Sequence, residues 1–97
     1  LCLDNQLRLI KEYVLSTGTI NASLISPREI FIKALETKAV HILLVHNHPS
    51  GDPTPSRADI EISKKVMESG ELLDIKLLDH IIIGDHTYVS LKALKII

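Results

Sequence analysis

The chain has 97 residues, 11 basic and 12 acidic, for a formal net charge of -1 at pH 7; 45% of it is hydrophobic and only 3% aromatic. That length supports one domain, residues 1–97, burying somewhat over ~60% of its unfolded surface around a core of Leu, Ile and Val. Charges of both signs are scattered and no row of stacking aromatics is present, so the expectation is no direct nucleic-acid binding by this chain.

In chain order, "LCLD" (1–4), "NQ" and "LRLIKEYVLSTGTI" (7–20) read as strand, turn and strand, a hairpin with a bend near Ser16 to Gly18. "LCLD" is strand-like from its first residue with no polar lead-in, which points to a piece of a longer chain whose N-terminal region is absent. Its Cys2 is the single cysteine, which excludes an internal disulfide and a Cys-rich zinc knuckle. No apolar run approaches ~18 residues and no signal-peptide pattern opens the chain. A cytoplasmic protein without a membrane partner is therefore expected.

"SPRE" (26–29) supplies Ser26 as N-cap, Pro27 at the first helical position and Glu29 three residues after the cap, a filled capping box. The helix it opens carries a stripe of Ile30, Phe31, Ala34 and Leu35. "AVHILLVH" (39–46) is apolar on both parities, as in a central strand covered on both faces. A second helix follows near "TPSRAD", with Thr54 as cap, Pro55 at its first position, Ile62, Val66 and Met67 buried, and an end near Leu73. "IKLLDHIIIG" (75–84) is a buried strand, "DH" a turn, "TYVSL" a short strand and "KALKII" a terminal segment. The order strand, strand, helix, strand, helix, strand, strand predicts an α/β domain: one mixed sheet flanked by helices on both faces.

The chemistry concentrates in "HNHPSGDPTPSRAD" (46–59). Residues two apart on a strand share a face, so His46 and His48 point the same way and Asn47 the other. Pro49 cannot donate to a ladder and ends the strand, leaving both imidazoles at its carboxyl end, where α/β sheets form ligand crevices. A proline-stiffened loop leads to the next helix, whose first turns carry Ser56 and Asp59 on one side. If the loop folds back, two neutral imidazoles and one carboxylate form a three-ligand zinc set that leaves the fourth position for water, the pattern of a catalytic site. The bland alternatives are strand-end histidines, an acidic residue favoured by the helix dipole and a polar helix-start serine. The literal "HNH" string is weak evidence for a nuclease, and a zinc deaminase needs a P-C-x-x-C that this chain lacks.

H-x-H-P, seven residues from Pro49 to Pro55, then S-x-x-D resembles the motif of JAMM (MPN-like, JAB-domain) zinc metalloproteases, and the fuller string is similar to the RadC branch. "GTINASLISPREIFIKAL" and "LLDHIIIG" are also similar to segments of RadC-like domains. The resemblance implies a cytidine-deaminase-like fold and a hydrolase cleaving a peptide or isopeptide-like amide of a peptide or protein substrate. It implies Zn2+ on His46, His48 and Asp59, with Ser56 hydrogen-bonding the tetrahedral intermediate. It also implies a general-base glutamate on a strand matching "LCLD", which would fall just before Leu1 and is missing from this chain.

Glu12 and Glu29 are the substitutes to weigh: Glu12 reads most simply as a solvent-facing strand residue, and Glu29 already has its capping role. Asp79 and His80 interrupt an apolar run and need partners; they are candidates for a supporting layer around the ligands or a groove lining, or else a paired strand-end Asp and His. His41 faces away from His46 and reads as a satisfied structural histidine, while His86 falls in an exposed turn. The rival functional reading is a non-catalytic module docking on DNA-repair or recombination proteins. Homo-oligomerisation stays open.

Overall fold

The structure, a computed structural model, describes residues 1–15 and 25–97. Its elements are β1 (Cys2–Leu3), β2 (Leu9–Lys11), α1 (Pro27–Glu36), β3 (His41–Asn47), α2 (Arg57–Leu73), β4 (Lys76–Ile83) and β5 (Tyr88–Ser90). Among the described residues no helix is long and apolar enough to cross a membrane.

The opening hairpin forms, but its second strand covers only Leu9–Lys11 of the expected 7–20 among the described residues, and Asp4 shapes its turn. Its Oδ1 accepts the backbone N–H of Gln6 at 2.8 Å and of Arg8 at 2.9 Å, and Leu7 adopts φ 63°. β2 stops at Lys11, so Glu12 follows a strand and is not part of one. The expected bend at Ser16 to Gly18 lies outside the described residues.

At α1, Ser26 Oγ accepts the N–H of Glu29 at 3.3 Å, but among the described residues the Glu29 carboxylate does not return a bond, leaving the capping box half made. Ile30, Phe31 and Ala34 are buried, whereas Leu35 is 57% exposed. One residue turns a helix by about 100°, enough to carry Leu35 off the face that meets α2. α2 starts later than expected, with Ser56 as its cap. Thr54 instead gives its N–H and its hydroxyl proton to Asp52 Oδ1, at 3.0 and 2.7 Å. Here the capping box is complete: Asp59 N–H donates to Ser56 Oγ at 3.1 Å and Ser56 N–H to Asp59 Oδ2 at 2.7 Å.

The five strands lie in the order β2-β1-β3-β4-β5, with β3 and β4 parallel and the other pairs antiparallel, a mixed sheet. Ile42 faces Leu77, but Leu43 faces Asp79, so Leu78 is an extra residue in β4. That irregularity resets the parity. Beyond it His80 and Ile82 join Leu44 and His46 on the inner face, and Asp79 turns to the outer one.

The core joins Ile30, Phe31 and Ala34 of α1, Ile62 and Val66 of α2, and Cys2, Ile42 and Leu77 of the sheet. The two helices touch each other and share this inner face. The expected cover on both faces is thus found on one among the described residues: at the carboxyl end of β3 the outer residues Val45, Asn47 and Ile83 are exposed. The α/β class and mixed sheet are as expected.

Candidate metal centre

His46 ends the inner row of β3. His48 lies one residue past the strand, yet its N–H still continues the ladder to Ile83 O at 2.9 Å. The rings sit edge to face, 5.0 Å between centroids. The loop after Pro49 is braced from β4's end: Asp85 N–H donates to Gly51 O at 2.7 Å, Gly51 takes φ 86°, and a Cβ on Gly84 would come within 2.3 Å of Gly51 O. Only glycine fits that approach. The loop thus returns to set the first turn of α2 beside the imidazoles.

His46, His48 and Asp59 each offer a ligand atom, all within 4.8 Å of one another. Asp59 is fully buried, and its two oxygens differ in their surroundings. Oδ2 accepts from Ser56 N–H and lies 2.9 Å from His48 Nε2. Oδ1 lies 4.0 Å from His46 Nε2, and both of these buried atoms lack a hydrogen-bond partner among the described residues. Native interiors rarely orphan such atoms.

His48 fixes its own tautomer. Its Nδ1 lies 2.9 Å from the carbonyl of Asp52, which only accepts, so Nδ1 carries a proton. The Nε2 lone pair then faces a carboxylate oxygen, and two acceptors at that distance require a proton or a cation between them. A carbonyl behind one nitrogen with the other presented inward is how proteins orient metal-binding histidines. Burial lowers the pKa of His46 despite the Asp59 charge, so its lone pair is available at neutral pH. Burial pushes Asp59 upward, but the hydrogen bonds from Ser56 and the nearby histidines outweigh it, and the carboxyl ends below its usual range. Two imidazoles and a carboxylate are the donor set a divalent metal takes.

Ser56 is exposed, and as the cap of α2 its Oγ accepts from Asp59 while its own proton remains to donate. The Asp79–His80 pair is split by the sheet. His80 is buried on the inner face, 6.3 Å from the His46 ring; Asp79, on the outer face, bonds Ser90 Oγ, Lys92 N–H and His80 N–H. Asp79 is therefore structural. Glu12 is exposed and helps line a cavity of about 600 Å³ that also reaches His46 and His80. Glu29 lies in the first turn of α1, where only its backbone N–H takes part in the cap. His41 faces away from the centre, half-buried, with Nδ1 unpartnered among the described residues, so it is not the satisfied histidine expected. His86 is exposed, in a turn at φ 54°. Sequence reasoning missed Ser63, a buried serine linking Asp59 to His80; its place one turn after Asp59 and on the apolar side of α2 was the available signal.

A family model described as "RadC-like JAB domain" matches residues 1–96. A UPF0758 protein of Methanosarcina barkeri is 53% identical over 92 residues, covering 95% of this chain and 40% of the relative. One from Geotalea uraniireducens is 52% identical over 90 residues, covering 93% and 40%, and one from Bacillus cereus 48% over 92 residues, covering 95% and 41%. The chain thus spans about 40% of the length of these relatives.

Proposed function

The chain belongs to the family of RadC-like JAB domains, and from that premise we propose that it is a zinc-dependent hydrolase of JAMM type, cleaving a peptide or isopeptide-like amide. The observation that carries the reading is the convergence of His46 Nε2, His48 Nε2 and Asp59 on one point, with two of the converging atoms orphaned and buried. These three residues would hold the metal. Bound there, zinc would supply a water acidified to a pKa of about 7 and a Lewis acid for the carbonyl. Three protein ligands leave one tetrahedral position open, which separates this reading from a closed structural site in a docking module.

Ser56 would give its hydroxyl proton to the oxygen of a tetrahedral intermediate while Asp59 N–H holds its lone pair. The base is assigned to a glutamate on an upstream continuation of β1. Cys2 pairs with Ile42 and Leu3 with His41, and the Leu1 nitrogen donates to Leu43 O at 2.8 Å. Each further residue upstream in that register would move one place along β3 toward His46 and His48. A cytoplasmic setting, in which the buried thiol of Cys2 stays reduced, belongs to the same reading.

Elemental analysis of the purified chain after zinc loading and dialysis tests the site. About one zinc per chain is expected, with large losses in His46→Ala, His48→Ala and Asp59→Ala. Undiminished zinc in all three variants would overturn it.

A further inference from the structure

We propose that Ser63 and His80 form a buried brace that fixes Asp59 in its ligating position, making both of them positioning residues of the metal centre; this rests on the metal reading above. Asp59, Ser63 and His80 are the buried polar residues among those described, and they are bonded in series. Ser63 Oγ lies 2.8 Å from the carbonyl oxygen of Asp59, an acceptor, and in hydrogen-bond contact with His80 Nδ1. A hydroxyl has one proton. With that proton on Asp59 O, His80 must supply the other, so the ring is Nδ1-protonated; His80 and His46 line the same cavity.

The brace joins α2, which carries Asp59, to β4, the strand paired with the His46-bearing β3. Asp59 is held at its carboxylate by Ser56 N–H and at its carbonyl by Ser63. His80 stands on β4 opposite Leu44, one inner-face pair from His46, which is opposite Ile82. The distance between α2 and the histidines of β3 is thereby set through one rigid ring. An Ala and a Leu would fill such a helix–sheet contact without buried polar atoms. A hydrogen-bonded polar chain immediately behind a ligand is what orients ligands in metal sites.

Two measurements test this. In the metal-free chain, ¹⁵N NMR of the His80 ring should show the Nδ1-protonated tautomer; an Nε2-protonated ring would overturn the brace, since the Ser63 proton would then leave Asp59 O. Cobalt(II) titration, followed by visible absorption, then compares the parent with Ser63→Ala, His80→Leu and His80→Asn, whose side-chain amide places an N–H near the former Nδ1. Affinity should fall about 10-fold to 100-fold in the Ala and Leu variants, with an altered spectrum, and return close to parent in His80→Asn. Parent affinity and spectrum in Ser63→Ala, or an Asn variant as weak as Leu, would overturn the proposal. If His80→Leu fails to fold by circular dichroism, Ser63→Ala carries the comparison. A parent that takes up no cobalt defeats the metal reading itself, and the tautomer still decides whether the brace exists.

Discussion

His80 and Ser56 have opposite relations to water, and each makes a prediction. Burial lowers the His80 pKa from 6.5 to about 4. Between those values the unfolded chain binds a proton that the folded chain does not. Stability from this group is therefore fully present above pH 6.5 and lost as pH falls toward 4, an effect of about 3 kcal/mol across the window. Urea unfolding of the metal-free parent should weaken steeply over that range, and His80→Asn should flatten the dependence, leaving the smaller part due to His46, which burial shifts the same way. Ser56 is exposed, and only its hydroxyl proton is assigned to chemistry. In an active, longer protein Ser56→Ala should retain zinc and lose about 10²-fold to 10³-fold in turnover, measured as kcat on an amide substrate. An unchanged kcat would reduce Ser56 to the cap of α2.

Among the elements, α2 shows what local sequence signals can and cannot deliver. Its end near Leu73 and its stripe of Ile62 and Val66 were legible from spacing. Its start was not, because two hydroxyl residues beside prolines, Thr54 and Ser56, compete for the cap; Ser56 takes it with Asp59 as its reciprocal partner, while Thr54 donates to Asp52. The parity of β4 was hidden in the same way. Leu78 looks like any other strand leucine, yet as an extra residue it sends Asp79 outward and His80 inward. The end of α2 carries a strained cap: Asp74 adopts φ 56°, while a Cβ on Gly70 would meet Ile75 O at 2.1 Å. Asp74→Gly should therefore stabilise the chain by roughly 0.5–1 kcal/mol. Gly70→Ala should destabilise it, the opposite of the usual gain for an interior helix position. Chemical denaturation of the two variants reads both signs.

For the whole molecule, the class and the grouping of His46, His48 and Asp59 could be read from "HNHPSGDPTPSRAD" and the flanking apolar runs, because strand parity is a local rule. The layering could not. An apolar run on both parities suggested helices on either side of β3, but layer placement depends on strand order. In β2-β1-β3-β4-β5 the crossovers β2-α1-β3 and β3-α2-β4 both step the same way across the sheet. Right-handed connections then put both helices on one face. The consequence is a centre walled by α2 on the inner side and open at the carboxyl ends of β3 and β4, where Val45 and Ile83 remain exposed. X-ray absorption of the zinc-loaded chain tests the central claim most directly. The account predicts about four light-atom neighbours at ~2.0–2.1 Å: two imidazoles, one carboxylate oxygen and an exchangeable water, with one imidazole lost in His48→Ala. A zinc closed by four protein ligands, or two imidazoles persisting in His48→Ala, would contradict it.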